Sequence, residues 1–420
     1  MTASSDVVAL PGLVCAVGEH LDSPWPRPTH GVPSSAQVEA AGSLRLSRIT
    51  NNIWNRNQPA RSNRFAVFVD GEITGLRAAG LRLGVAASGP SEGDHDLLLA
   101  LLDSGVALDE LVRRCEGGFF IAVHDRIRDV VSFASDRFGL RPHYYSTHPK
   151  GFILAPTLRD CLDAPWVSRV LNQASLAEYF CLQCVLEERT LVRDVMLFPA
   201  GAIAELDLRS RVFVARPYAG WDEFQSDGSV RSVDAAIEEV ANLFGAACAA
   251  AGRLDERCGV YLSGGLDSRL ILAALKNPGA MHTFCFGPPD SPDIVYARRV
   301  ARAARTQHHE FLMRDGEWLR KIADRHARLT EGGHGLSHAH NLWRVEEAAR
   351  HIDVNLSGHF GDLLLGGSYV YDGDPADVTE SLFQLFHGKW GGGFRDPAHF
   401  ATSTLLAADD LHERMRDALE

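Results

Sequence analysis

Hydrophobic and polar positions follow different patterns in the two halves of the chain. Up to about residue 215, the apolar residues form short runs typical of β-strands, separated by clusters of turn-forming residues. One helical pattern, 94–104, begins with an acidic first turn. The strands predicted in this half span 65–69, 119–124, 130–134, 151–155, 193–198 and 202–206. We therefore expect an antiparallel α+β domain over residues 1–215.

Beyond residue 232, strand patterns alternate with helix patterns. The predicted strands are 258–262, 282–286, 308–311 and 354–356, and the predicted helices are 233–250, 267–275, 293–304 and 343–351. This alternation indicates βαβ units on a parallel sheet, whose ligands bind beyond the carboxyl ends of the strands. The second domain is predicted over 233–420. The polar, turn-rich segment 216–232 is predicted to be a linker.

Charge and composition exclude several classes of protein. Acidic residues outnumber basic ones by 54 to 42, a net charge of −12, which argues against a nucleic-acid or anionic-membrane partner. No apolar run is long enough for a transmembrane helix, and the first residues lack the basic region of a signal peptide. The eight cysteines lie mostly in apolar runs. This placement favours reduced core thiols in a cytoplasmic protein over a disulfide or zinc framework.

The segment CGVYLSGGLDSRLIL, residues 258–272, contains the clearest candidate chemistry. An apolar strand is followed by two glycines and then by a helix, so that free amides at the helix start can hold an anion. Asp267 would repel phosphate alone, which suggests a Mg²⁺ ion between its carboxylate and phosphate oxygens. No Walker lysine motif is present. The alternative is an ordinary glycine-rich turn with Asp267 near the helix N-cap.

The SGGLDS segment resembles the pyrophosphatase loop of the asparagine synthetase-like ATP pyrophosphatases. The resemblance continues through residues 283–311, with a Ser-Pro-Asp helix start and a His-His-Glu strand, and through VNLSGHFGDLLLGGSY at 354–369. Four segments of the first half are similar to motifs of the glutaminase domain that precedes this synthetase domain: 68–75, 115–125, 135–145 and 191–206. The resemblance implies an α+β Ntn-hydrolase-like sandwich followed by an α/β parallel-sheet ATP-pyrophosphatase domain of the adenine nucleotide alpha hydrolase-like type.

The same resemblance implies an ATP-dependent, AMP-forming amide ligase. ATP with Mg²⁺ would adenylate a small-molecule or peptide carboxylate, and an amine acceptor would displace AMP. Asp267 and Asp362 match the family's magnesium-binding acids. No catalytic residue is assigned. The residues that the resemblance places at the nucleotide are Leu262, Ser263, Gly264, Gly265, Asp267, Ser268, Phe286, Ser357 and Gly358.

The first half departs from the family at the glutaminase site. Thr2 stands where the family has its nucleophilic cysteine, and the nearest cysteine is Cys15. Asp70 replaces the asparagine of the Asn-Gly oxyanion pair, and a carboxylate is a poor neighbour for a developing oxyanion. We expect a domain that kept its fold and lost glutamine hydrolysis, with Thr2 as an N-terminal nucleophile being the alternative. Family members without this cysteine include β-lactam synthetases and lasso-peptide cyclases, which close rings.

The second half departs in its second nucleotide segment and at its end. His359 follows Ser357-Gly358, either as a base or ligand or as a packing residue, and Leu363 replaces the usual glutamate after Asp362. Lys389 is not at the place of the family's lysine, and we expect a C-terminally incomplete synthetase domain. The alternative function is a non-catalytic nucleotide-binding remnant or a scaffold of a biosynthetic complex. A homodimer and a biosynthetic partner protein both remain open.

Histidines are concentrated late in the chain, with nine of the 18 between His282 and His359. The run EGGHGLSHAHN contains His334, His338 and His340. These residues form either a transition-metal site or a loop that lines the acceptor pocket.

Overall fold

Two structural units make up the part of the chain that the computed structural model describes. The described residues are 11–18, 34–51, 59–82, 93–182, 184–220, 223, 232–251, 257–275, 277–359 and 361. The division between the units falls between Gln225 and Ser226. Within these ranges, no helix combines the length and the apolar character needed to cross a bilayer. Among the described cysteines, Cys15, Cys115, Cys248 and Cys285 are buried thiols.

Within the described residues, the first unit contains twelve strands and five helices. The strands are β1 Gly12–Gly18, β2 Ser34–Ala41, β3 Leu44–Asn51, β4 Ala60–Arg61, β5 Phe65–Thr74, β6 Glu116–Asp125, β7 Val130–Ser135, β8 Tyr144–His148, β9 Gly151–Ala155, β10 Met196–Leu197, β11 Ala202–Asp207 and β12 Phe213–Pro217. The helices are α1 Leu76–Arg82, α2 Asp94–Asp103, α3 Leu108–Val112, α4 Leu158–Leu162 and α5 Gln173–Leu182.

These strands form two six-stranded sheets that pack face to face. The orders are β10-β8-β9-β1-β3-β2 and β12-β11-β7-β6-β5-β4, and every pairing within them is antiparallel. Phe68, Phe120 and Phe152 belong to the apolar layer between the sheets. Helices α1 to α3 cover the outer face of one sheet, and α4 covers the outer face of the other. The predicted α+β sandwich is confirmed.

The second unit is built on a four-stranded parallel sheet. Its elements are α6 Val233–Ala251, β13 Cys258–Tyr261, α7 Leu266–Ala274, β14 His282–Gly287, α8 Pro292–Ala304, β15 Gln307–Leu312, α9 Glu317–Leu329, α10 Val345–Ala348 and β16 Val354–Leu356, with 3₁₀ helices at Pro278–Ala280 and Leu336–Leu342. The strand order is β15-β14-β13-β16. After β13 the chain adds β14 and β15 on one side of that strand. It then returns and adds β16 on the other side of β13. Such a reversal opens a crevice at the carboxyl ends of the strands.

Three sequence predictions need correction. Of the predicted helix 343–351 only α10 is helical, because Arg344 adopts a left-handed backbone with φ of 59° just before it. Only Met196–Leu197 of the predicted strand 193–198 pairs with a neighbour. The histidine-containing loop includes the 3₁₀ helix Leu336–Leu342.

The first unit also extends into the segment predicted as a linker from residue 216. Strand β12 continues to Pro217 because Arg216 pairs with Ile203 of β11. Tyr218 is buried, and its hydroxyl donates a hydrogen bond to the Ser135 carbonyl at 2.8 Å. Residues 216–218 thus belong to the sandwich.

Candidate functional site

A cavity of about 490 Å³ lies at the carboxyl edge of the parallel sheet, within the second unit. This volume is in the range of small-ligand sites. The predicted nucleotide residues among its walls are Leu262, Ser263, Gly265, Asp267, Ser268, Phe286, Ser357 and Gly358. The residues that the sequence did not single out for the nucleotide are Tyr261, Cys285, Asp293, Asn341, Asn355 and His359. Residues at the ends of three neighbouring strands therefore line one cavity, although they are far apart in sequence.

The loop between β13 and α7 is held in shape by its own hydrogen bonds. The Ser263 hydroxyl accepts from the Gly265 amide at 3.1 Å, and the Ser268 hydroxyl accepts from the Ser263 amide at 3.2 Å. Gly265 is the N-cap of α7, so no side chain at that position covers the amides of the first turn. A preformed loop with amides available at a helix start is suited to binding an anion.

The loop after β16 packs directly against Asp267. A Cβ atom added to Gly358 would lie 2.6 Å from the Asp267 Cβ and 2.9 Å from the Ser268 amide nitrogen. At Gly361 an added Cβ would lie 2.8 Å from the Asp267 carboxyl carbon. Only glycine permits this approach without a shift of the backbone. The residue before Asp362 therefore lies beside the Asp267 carboxylate, although Asp362 itself is outside the described residues.

A second carboxylate, that of Asp293, contacts the loop between β13 and α7. Asp293 lies in the first turn of α8, where Ser291 is the N-cap and Pro292 the first helical residue. One of its oxygens accepts a hydrogen bond from the Gly264 amide at 2.6 Å. Two acidic side chains, Asp267 and Asp293, thus adjoin a loop whose amides suit phosphate. This charge arrangement requires a cation when a polyphosphate is bound, and it fits Mg²⁺, which is commonly held by one or two carboxylates together with phosphate oxygens.

The opposite part of the cavity is aromatic and apolar. The ring centroids of Tyr261 and Phe286 are 5.9 Å apart, and those of Phe286 and His340 are 5.2 Å apart. Burial raises the pKa of the Tyr261 hydroxyl to about 12, and this hydroxyl has no hydrogen-bond partner within the described part of the chain. Leu262 is almost fully buried at the base of the loop. Such a wall suits a planar, apolar ring face.

The histidine-containing run lies beside this wall, where the ring of His340 packs against that of Phe286. Within the side chains that the structure describes, neither His334 nor His340 belongs to a cluster of three potential metal ligands. The side chain of His338 is outside the described residues. A metal site and a lining of the acceptor pocket both stay predictions for this run.

In the first unit, Asp70 is buried at the position where the family has its oxyanion asparagine. Asp70 is 6% exposed in β5, and the following Gly71 has φ of 92°. Burial lowers the pKa of the His143 imidazole, an effect that the nearby Asp70 carboxylate opposes. The His143 ring accepts from the Leu13 amide and contacts the Arg141 carbonyl, each at 3.0 Å. The His143 ring therefore has a structural role, because it links the backbone at Leu13 to that at Arg141.

The first unit offers no exposed thiol near its start that could replace the missing nucleophile. Cys15 is fully buried in β1, and burial raises the pKa of its thiol far above the usual range. A thiol of this kind is inert, since the thiolate is the nucleophile. Thr2 is outside the described residues, and its role stays a prediction.

Known protein families match both halves of the chain. A family model described as "Glutamine amidotransferase domain" matches residues 30–218, and one described as "Asparagine synthase" matches 239–417. The glutamine-hydrolysing asparagine synthetase of Rattus norvegicus is 26% identical over 238 residues, covering 54% of this chain and 41% of the relative. A Mycobacterium bovis protein that carries the same name provisionally is 26% identical over 363 residues. The match covers 81% of this chain and 54% of the relative.

Solved structures align with lower sequence identity. The glutamine phosphoribosylpyrophosphate amidotransferase from B. subtilis is 13% identical, covering 67% of this chain and 56% of that chain, with a TM-score of 0.28. This score is too low to support an inference.

The fold and the two matched segments define a protein with a glutamine amidotransferase domain on an antiparallel sandwich, followed by an asparagine synthase domain on a parallel sheet. The chain belongs to the asparagine synthetase family. It spans about half the length of the curated relatives it matches. The binding roles assigned to the individual cavity residues stay predictions.

We predict that Gly358→Ala weakens binding of ATP to the full chain by at least about tenfold. The added Cβ would overlap Asp267 and displace the loop that closes the cavity. A matched control is Gly316→Ala, where an added Cβ meets nothing within 4 Å. Fluorescence titration with the nucleotide measures both variants. Equal affinity in Gly358→Ala and the unchanged chain would show that this contact does not shape the binding site.

Proposed function

We propose that the second unit binds Mg-ATP and transfers AMP to a carboxylate, which an amine then converts into an amide. The observation that carries the proposal is the meeting of the SGGLDS loop with Ser357-Gly358 at one cavity beyond the strand ends. The family match and the shape of the loop support ATP as the nucleotide. The activity, substrates and metal are proposals because the chain covers only part of its relatives.

The described residues have separable tasks in this reaction. The amides in the first turn of α7 and the hydroxyls of Ser263 and Ser268 hold the β and γ phosphates. Tyr261, Leu262 and Phe286 provide an apolar surface for the adenosine. Asp267, with Asp362, would hold Mg²⁺, which offsets the negative charge of the polyphosphate when it is bound.

The chemistry proceeds in two balanced steps. In the first step a carboxylate oxygen attacks the α-phosphorus, the bond to the β-phosphate oxygen breaks, and pyrophosphate leaves. In the second step an amine attacks the acyl carbon, the acyl–oxygen bond breaks, AMP leaves, and the nitrogen loses a proton. Positioning and electrostatic stabilisation by the loop amides are the main contributions that the protein can make to the first step.

The departures in the first unit favour an amine that does not come from glutamine. The buried Asp70 occupies the position where the family uses a neutral amide, and Cys15 cannot act as a nucleophile. An amine within the substrate itself, as in lasso-peptide or β-lactam ring closure, meets this condition. Asparagine synthesis from free ammonia meets it as well.

A non-catalytic nucleotide-binding remnant or scaffold is the rival proposal. The two are separated by exchange of labelled pyrophosphate into ATP, which a ligase supports in the presence of its carboxylate and a remnant does not. Homodimer formation, a biosynthetic partner protein and a cytoplasmic location stay predictions.

We predict that Asp267→Asn weakens ATP binding only when Mg²⁺ is present. With Mg²⁺ present, loss of a metal ligand should weaken binding at least about tenfold, whereas in a chelator the neutral amide should bind ATP as well as or better than the carboxylate. Calorimetric titration under both conditions measures this. Asp324→Asn, which alters an exposed carboxylate on α9, is the control and should change neither value. A loss of equal size in both conditions would contradict metal binding by Asp267.

We also predict that the chain does not hydrolyse glutamine. The reason is that Thr2 and Asp70 replace the nucleophile and the neutral oxyanion partner. Glutamate release from glutamine is compared between the intact chain, its Thr2→Ala variant and heat-inactivated protein, and all three should agree. Release by the intact chain that Thr2→Ala abolishes would show that Thr2 is a working nucleophile.

A further inference from the structure

Three histidines from separate elements of the second unit converge on one side of its parallel sheet. His282 begins β14, His309 lies in β15, and His351 follows α10. One ring nitrogen from each lies within 4.8 Å of those of the other two. The cluster is at the amino-terminal end of β14, whereas the cavity described above uses Cys285 and Phe286 toward its other end. The histidines are therefore not part of the nucleotide cavity.

The rings are close and mutually oriented. The Nδ1 atom of His282 and the Nε2 atom of His309 are 2.9 Å apart. Ring centroids are separated by 5.2 Å for His282 and His309, by 4.9 Å for His282 and His351, and by 4.4 Å for His309 and His351. All three side chains are partly buried, so that solvent still reaches the group.

The surroundings favour neutral imidazoles. Burial lowers the pKa of His282 and of His309, and the neighbouring histidine rings lower both pKa values further. The neutral ring is the form that binds metal ions. A cation shared between the rings would replace the hydrogen bond between His282 and His309 with bonds to all three imidazoles.

The charged neighbours do not oppose a cation strongly. Arg257 acts on His282, but its guanidinium makes two hydrogen bonds to the Asp353 carboxylate, at 2.7 and 3.1 Å. On the other side, the negative charge of Glu347 in α10 acts on His309 and favours a positive charge there.

We propose that His282, His309 and His351 bind one Zn²⁺ ion through three imidazole nitrogens, with the fourth position open to water. Imidazole suits zinc, and bonds of about 2.0–2.1 Å in a tetrahedron place the nitrogens about 3.3 Å apart. The observed pair at 2.9 Å needs to open by only a few tenths of an ångström. The nitrogen of the third ring, which lies within 4.8 Å of the other two, must approach them by at most about 1.5 Å.

Such an ion would connect three elements that are far apart in sequence. It would join β14 and β15 to the segment that enters β16, a strand of only three residues. Because β16 positions Ser357 and Gly358 at the cavity, the metal would stabilise the unit and indirectly order that loop. Zinc binding itself does not depend on the proposed ligase activity.

Stacking is the alternative explanation of the same geometry. His309 lies on Phe284 with ring centroids 5.0 Å apart and an interplanar angle of 16°. A hydrogen-bonded aromatic cluster would place the rings similarly and would bind no metal. Metal binding must therefore be measured directly.

The test uses the full chain without a histidine tag, stripped with a chelator and titrated with Zn²⁺ by calorimetry. We expect one ion per chain, a higher melting temperature with zinc, and a visible absorption band when Co²⁺ replaces zinc. His309→Asn and His351→Asn should each lower zinc affinity at least tenfold, since even outer-shell changes at metal sites cost 10- to 100-fold. His334→Asn, which alters an exposed histidine outside the cluster, is the matched control and should bind as the unchanged chain does.

Circular dichroism before titration separates lost binding from lost folding. Because His351 lies outside the strands, its variant keeps the test valid if His309→Asn fails to fold. Equal zinc affinity in His351→Asn and the unchanged chain would overturn the proposal, as would the absence of stoichiometric binding by the unchanged chain. Affinity should also fall as the solution is made acidic, because protons compete with the ion for the imidazole nitrogens.

Discussion

The pairing of β13 with β14 on one side and β16 on the other is the constraint on which the second unit depends. Parallel pairing places the carboxyl ends of all three strands at one edge of the sheet, and the reversal of direction at β13 leaves a crevice there. The predicted nucleotide residues other than Gly264 line the cavity from this edge or from the loops beside it. The chemistry of the site is thus a consequence of the strand order.

Close backbone approach gives this crevice its charge pattern. Gly358 and Gly361 allow the loop after β16 to lie against Asp267, and Gly264 donates its amide to Asp293 at 2.6 Å. Amide donors and carboxylates consequently alternate within one small region. A polyphosphate alone would be repelled by the acids, and a metal ion alone would not use the amides. The proposed pair of ligands, Mg²⁺ with ATP, would satisfy both.

The fold and much of the site could be predicted from the sequence because their signals are local. The strand Val354–Leu356, for example, was predicted with its observed bounds, and SGGLDS lies between a strand and a helix as expected. Asp293 was overlooked as a site residue, although Ser291-Pro-Asp marks a helix start, because its bond to Gly264 spans 29 positions. The zinc candidate could not be predicted, since His282, His309 and His351 share no short motif. Helix α10 is short because of the left-handed backbone at Arg344, which no periodicity reveals.

A crystal structure of the full chain with Mg²⁺ and α,β-methylene-ATP, whose α–β bridge resists cleavage, tests the central claim most directly. Our account predicts the β and γ phosphates on the amides of the SGGLDS loop, the adenine against Phe286, and a metal ion bound to the Asp267 carboxylate. Nucleotide density at another location, or phosphates that do not contact the Ser263–Ser268 loop, would contradict it.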